Sequence, residues 1–122
     1  MQRLFPYLAA MVLIGTSAVA AVAHAFLNQA VPPVGGTVAA SPPEIRLYFS
    51  EAIEPRFSGI ELTSLDGRPV KTRPSTVDPR DQMQFVLPVE PALPSGRYKV
   101  TWHVVSVDTH PTQGDFTFEI KP

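Results

Sequence analysis

Asp108 and His110 stand two apart in the stretch SVDTHPTQGDF, residues 106–116, between two runs that read as strands. In extended backbone, residues two apart point to the same side, so this carboxylate and imidazole can face one point. Pro111 follows at once and narrows the conformations open to His110. Such a pair is either ordinary turn chemistry, with the aspartate bonding nearby backbone, or half of a metal site completed from elsewhere. One candidate for the other half is His24, which sits just after a long apolar N-terminal run. If the chain is cut before it, its α-amine and its imidazole Nδ1 close a chelate ring on a single ion. A free α-amine titrates at about pH 8 and gives up its proton to a bound dication at neutral pH. His110 adds a second imidazole, and Asp108 or Glu51 adds a carboxylate. This nitrogen-rich set of N and O ligands favours Cu(II), with Ni(II) next.

Other chemistries lack their residues. The chain has no cysteine, and beyond the N-terminal run only Met83 offers sulfur. A closed structural zinc site, which usually draws on thiolates or several histidines, is therefore not supported, and neither is a Cu(I) site. There is no G-x-S-x-G, no glycine-rich phosphate loop and no helical carboxylate pair. Ser50 and Ser106, weighed as nucleophiles, have no base at a meaningful spacing. His103 falls on the polar face of its strand and reads as solvated, outside the metal set.

The ligands must be positioned by a small β domain. With 44% hydrophobic residues in 122, the chain has the makings of one ordinary domain. Net charge is -1 with no basic block, which speaks against nucleic acid as a partner. The 14 prolines and 7 glycines are scattered and read as turn punctuation rather than low complexity. EIRLYFS alternates Ile45, Leu47 and Phe49 against polar neighbours. SGIELTSL turns Ile60 and Leu62 inward, with Leu65 as a third inward candidate, ahead of the turn signal Asp66-Gly67. MQFVLP is a short apolar run. GRYKVTWHVV sets Tyr98, Val100, Trp102 and Val104 on one face, and GDFTFEIKP groups Phe116, Phe118 and Ile120. HAFLNQAVPP reads as an edge strand stopped by Pro32-Pro33. RPVKTRPSTVDPRDQ is the least regular part, a long loop with a weak strand at RPVK. No window shows a helical period. Six or seven short strands argue an all-β sandwich or small barrel. Tyr98, at a strand start, is either a corner tyrosine bonded back to the backbone or a half-buried aromatic.

The N-terminus reads as a secretory signal: a basic start, MQR, then a charge-free apolar run ending in small residues. The run is long enough to raise a membrane anchor as the competing reading. Two cuts satisfy the small-residue rule. Ala21-Val22-Ala23 leaves His24 first; Ala23-His24-Ala25 discards it.

The stretches AHAFLNQAVPPVGGTV, PPEIRLYFSEAIEPRFSGIEL and LPSGRYKVTWHVVSVDTHPTQGDFTFEI together resemble the CopC family of periplasmic copper-resistance proteins. The likeness runs in order over residues 23–121. Its most specific parts are S-x-D-x-H-P-x-x-G-x-F at 106–116, the histidine after the signal, and F-S-E at 49–51. The resemblance implies a seven-stranded Greek-key β-barrel of cupredoxin-like topology. It implies one Cu(II) ion held by the amine and ring of His24 and by Asp108 and His110, with Glu51 also placed at the copper in some members. It implies the cut before His24, so that residues 1–23 are a cleaved signal and 24–122 a periplasmic copper-binding domain, not membrane-embedded once freed. It implies carriage or sequestration rather than catalysis, with a CopD-type inner-membrane protein as partner. Two other classes stay in view: a copper monooxygenase-like enzyme, and a metal-free immunoglobulin-like interaction module. The chain departs from the family in three places. Some relatives carry a methionine-rich Cu(I) loop, but residues 66–84 here hold only Met83. Thr109 stands where glycine is common, and His103 where arginine is common.

Overall fold

The computed structural model describes residues 24–122; the expected signal, residues 1–23, lies outside the described residues. Eight strands follow in chain order: β1 (Leu27–Val31), β2 (Thr37–Val38), β3 (Glu44–Phe49), β4 (Gly59–Ser64), β5 (Thr76–Asp78), β6 (Asp81–Pro88), β7 (Gly96–Val105) and β8 (Pro111–Ile120). They form two four-stranded sheets, ordered β1-β3-β6-β5 and β2-β8-β7-β4. Only β5–β6 and β7–β8 are neighbours both in chain and in sheet. The other pairings join strands that are not consecutive, the crossing pattern of a Greek-key sandwich. The sheets face each other and do not close into a barrel. The all-β expectation holds in its sandwich form.

The alternation seen in the sequence becomes the core. Ile45, Leu47 and Phe49 from β3 meet Ile60 and Leu62 from β4, Val100, Trp102 and Val104 from β7, and Phe116, Phe118 and Ile120 from β8. Phe49 and Trp102 link the sheets edge to face, with ring centroids 5.1 Å apart, a favoured aromatic geometry. Tyr98 stacks on Phe118 and donates its hydroxyl to the Pro94 carbonyl at 2.6 Å. That is the corner arrangement, which anchors the start of β7. On the outer face Arg46 Nη1 reaches Asp78 Oδ2 at 2.7 Å and Gln84 Oε1 at 2.6 Å. This bond set pins β3, β6 and β5 together.

Two details depart from the sequence pattern. The strand expected at RPVK does not form; Pro69 makes a single bridge to Thr63. The strand in that region is β5, whose Val77 packs on the core and pairs with Phe85. Leu65 is exposed rather than inward. It lies just beyond β4, where the chain turns through Gly67 at φ +88°, and the turn takes it off the strand's alternation.

Candidate metal centre

The antiparallel β7–β8 hairpin delivers the signature loop to one end of the sandwich. Ser106 N–H donates to the His110 carbonyl at 3.1 Å, and Thr109 N–H to the Ser106 carbonyl at 2.8 Å, closing residues 106–110 into a tight turn. Thr109 takes φ +77° to complete it. Ser106, only 1% exposed, fills the turn with its side chain. Its Oγ donates to Asp108 Oδ1 and accepts from His110 N–H at 3.3 Å. The Asp108 carboxyl is held below the usual aspartate range. The Ser106 hydrogen bond is the main cause, with desolvation opposing it and the His110 ring adding to it.

The N-terminal arm, residues 24–26, meets this loop. β1 pairs with β3, so the arm ahead of β1 runs beside Ser50, just past the end of β3. The His24 and His110 rings come together edge to face, with centroids 5.3 Å apart and planes at 73°. Phe26, 62% exposed, lies edge-on to His24 at 6.3 Å. His110 Nδ1 is 3.2 Å from Asp108 Oδ1. It is nevertheless buried without a hydrogen-bond partner. A buried nitrogen beside a carboxylate oxygen, with no donor between them, is the donor set that a cation satisfies.

Residues 50–54 run between arm and loop. Ser50 bonds the arm, Val107 N–H donates to the Ala52 carbonyl at 3.0 Å, and Ile53 bridges Ser106. Glu51, half-buried, therefore sits on backbone stitched to both. The structure thus brings His24 to His110 and Asp108 to His110. Among the described residues, it does not draw three or more side chains of His, Cys, Asp or Glu into one ready-made metal cage. A terminal amine, the expected further ligand, is not a side chain and lies outside such a count. His103, on the exposed face of β7, packs across Gly59 instead. Sequence reasoning weighed Ser50 and Ser106 only as nucleophiles and passed over Thr112. All three are hydroxyls that hold the arm or the loop, and all three lie inside the quoted stretches 49–51 and 106–116.

Fold and site define a class: a small two-sheet β-sandwich that gathers two imidazoles and a carboxylate at one end. The CopC domain matches residues 27–121, and the chain belongs to the CopC family. Protein YobA of Escherichia coli K12 is 42% identical over 99 residues, which span 81% of this chain and 80% of that protein. The crystal structure of CopC from Methylosinus trichosporium OB3b aligns with a TM-score of 0.76 at 31% identity, over 81% of this chain and 95% of that one. PcoC, a methionine-rich copper resistance protein from Escherichia coli, aligns with a TM-score of 0.72 at 38% identity, over 81% of this chain and all (100%) of that one.

Proposed function

We propose that this chain is a copper-resistance protein of the periplasm that carries one Cu(II) ion. Removal of residues 1–23 frees the His24 amine, which chelates the ion together with the His24 imidazole. His110 supplies a second imidazole and Asp108 a carboxylate, with Glu51 as a further carboxylate ligand. The observation that carries the reading is the meeting of the His24 and His110 rings at 5.3 Å, with the Asp108 carboxylate beside His110 Nδ1. The family relationship supports copper as the cargo. The ligand chemistry supports the cupric state, since every donor is nitrogen or oxygen. PcoC is methionine-rich, whereas Met83 is this chain's only methionine after residue 23. Sulfur-based Cu(I) binding therefore has no basis here.

An ion held by exchangeable N and O donors at an exposed end of the domain is suited to hand-over. We assign the receiving partner to a CopD-like inner-membrane protein. Carriage rather than catalysis is the role assigned, because a carboxylate among the ligands stabilises Cu(II) against the reduction that oxygen chemistry requires.

The test is His24→Ala in the secreted protein, which keeps the terminal amine and removes the ring. Competition titration against a chromogenic Cu(II) chelator is expected to show affinity weakened by orders of magnitude. Unchanged affinity, or an intact mass showing that the exported chain begins elsewhere than His24, would refute the assignment.

A further inference from the structure

None of residues 24–26 belongs to a strand, yet each has a backbone group bound to a side chain far away in sequence. Ser50 Oγ accepts from Phe26 N–H at 2.8 Å and donates to the His24 carbonyl at 3.3 Å. Ser50 N–H adds a bond to the Phe26 carbonyl at 2.9 Å. From the other sheet, Thr112 Oγ1 donates to the Ala25 carbonyl at 2.9 Å, and Ala25 itself is fully buried. The first residues of a domain fray unless something ties them down. Here two hydroxyls do so, one from the end of β3 and one from β8.

We propose that Ser50 is a positioning residue for metal capture: by gripping the arm on both sides of Ala25, its hydroxyl aims His24 at His110. This rests on the copper reading above. The amine and ring of one residue chelate an ion wherever the arm happens to lie. His110 and Asp108 can join only if the arm presents that ion to them. Holding the arm in place raises the effective concentration of the distant ligands and removes an ordering cost from the binding step. Ser50 touches no metal; it acts through His24.

The experiment compares mature protein carrying Ser50→Ala, Ser50→Thr and Thr112→Val, each alone and combined with His110→Ala. Cu(II) affinity is read by competition, and amide hydrogen exchange at Phe26 is read in the metal-free protein. Ser50→Ala should weaken Cu(II) about tenfold and speed exchange at Phe26. Ser50→Thr, which keeps the hydroxyl, should restore both. In the His110→Ala background Ser50→Ala should have a much smaller effect, because only Asp108 remains for the arm to present the ion to. Thr112→Val should follow the same pattern, and it carries the test if Ser50→Ala does not fold. Equal weakening in both backgrounds would show a general structural role and sink the proposal, as would wild-type affinity in Ser50→Ala. The parent reading fails separately: it falls if His24→Ala and His110→Ala leave affinity unchanged, whereas Ser50 alone is misassigned if those two weaken binding and Ser50→Ala does not.

Discussion

The hydroxyl of Ser106 donates to the carboxylate of Asp108, two residues on, from a position that is almost wholly buried. One side chain thereby joins the sandwich core to a metal-ligand candidate. The same oxygen accepts from His110 N–H, so Ser106 holds the side chain of one member of the Asp-x-His pair and the backbone of the other.

Ser106→Ala removes these bonds together. The variant's thermal midpoint should fall. The pH dependence has a definite sign. The Asp108 carboxyl is depressed below its unfolded value, chiefly by Ser106. Its contribution to stability is therefore present above the ordinary aspartate range and lost as pH falls through the folded value. The stability gap between wild type and Ser106→Ala, both metal-free, should narrow on acidification. A gap that stays constant across acid pH would show that Ser106 does not act through Asp108.

Thr109 sits between the two candidate ligands at φ +77°, a region where a β-branched residue is an outlier. The left-handed conformation costs a side-chain-bearing residue roughly 1–2 kcal/mol, while glycine loses about 0.4–1 kcal/mol through its looser unfolded chain. The first effect is the larger. Thr109→Gly should therefore stabilise the metal-free protein, by about 0.5–1 kcal/mol taking typical values, seen as a higher denaturation midpoint. A lower midpoint would mean that the Thr109 side chain makes contacts outweighing its strain.

The long strands were legible because a half-buried strand writes a period of two into its residues. β3, β4, β7 and β8 all carry that alternation, and the expected inward residues are buried apart from Leu65. β2 and β5 were not legible: at two and three residues they are too short to show a period, and the partner of β2, the strand β8, lies far along the chain. Sandwich and barrel could not be told apart, since closure depends on whether edge strands bond, not on which residues face inward. At the site, residue type and spacing singled out His24, Asp108 and His110 as candidates with Glu51 as a further carboxylate, and the structure brings His110 against His24 and Asp108. The hydroxyls of Ser50, Ser106 and Thr112 were not recognised for what they hold. A serine's hydrogen-bond partner is fixed by tertiary placement, and nothing local in the sequence names it.

The glycine of the 106–116 signature has a packing reason that the sequence did not disclose. Gly114 pairs with Trp102 across β7 and β8, and a Cβ on it would lie 2.5 Å from Trp102 Cζ2 and 2.9 Å from Cε2. The tryptophan has little room to retreat, because it is mostly buried and its ring is braced edge-on by Phe49 at 5.1 Å. Gly114→Ala is therefore an overpacking substitution, expected to cost about 1–3 kcal/mol. In urea the midpoint should fall while the slope stays unchanged, and the environment of the chain's single tryptophan should register the shift in its fluorescence. Phe49 immediately precedes Ser50, so a displaced indole should also disturb the hydroxyl that grips the arm and weaken Cu(II) binding. If Gly114→Ala is as stable as wild type, the indole has another place to go, and the signature glycine must be explained some other way.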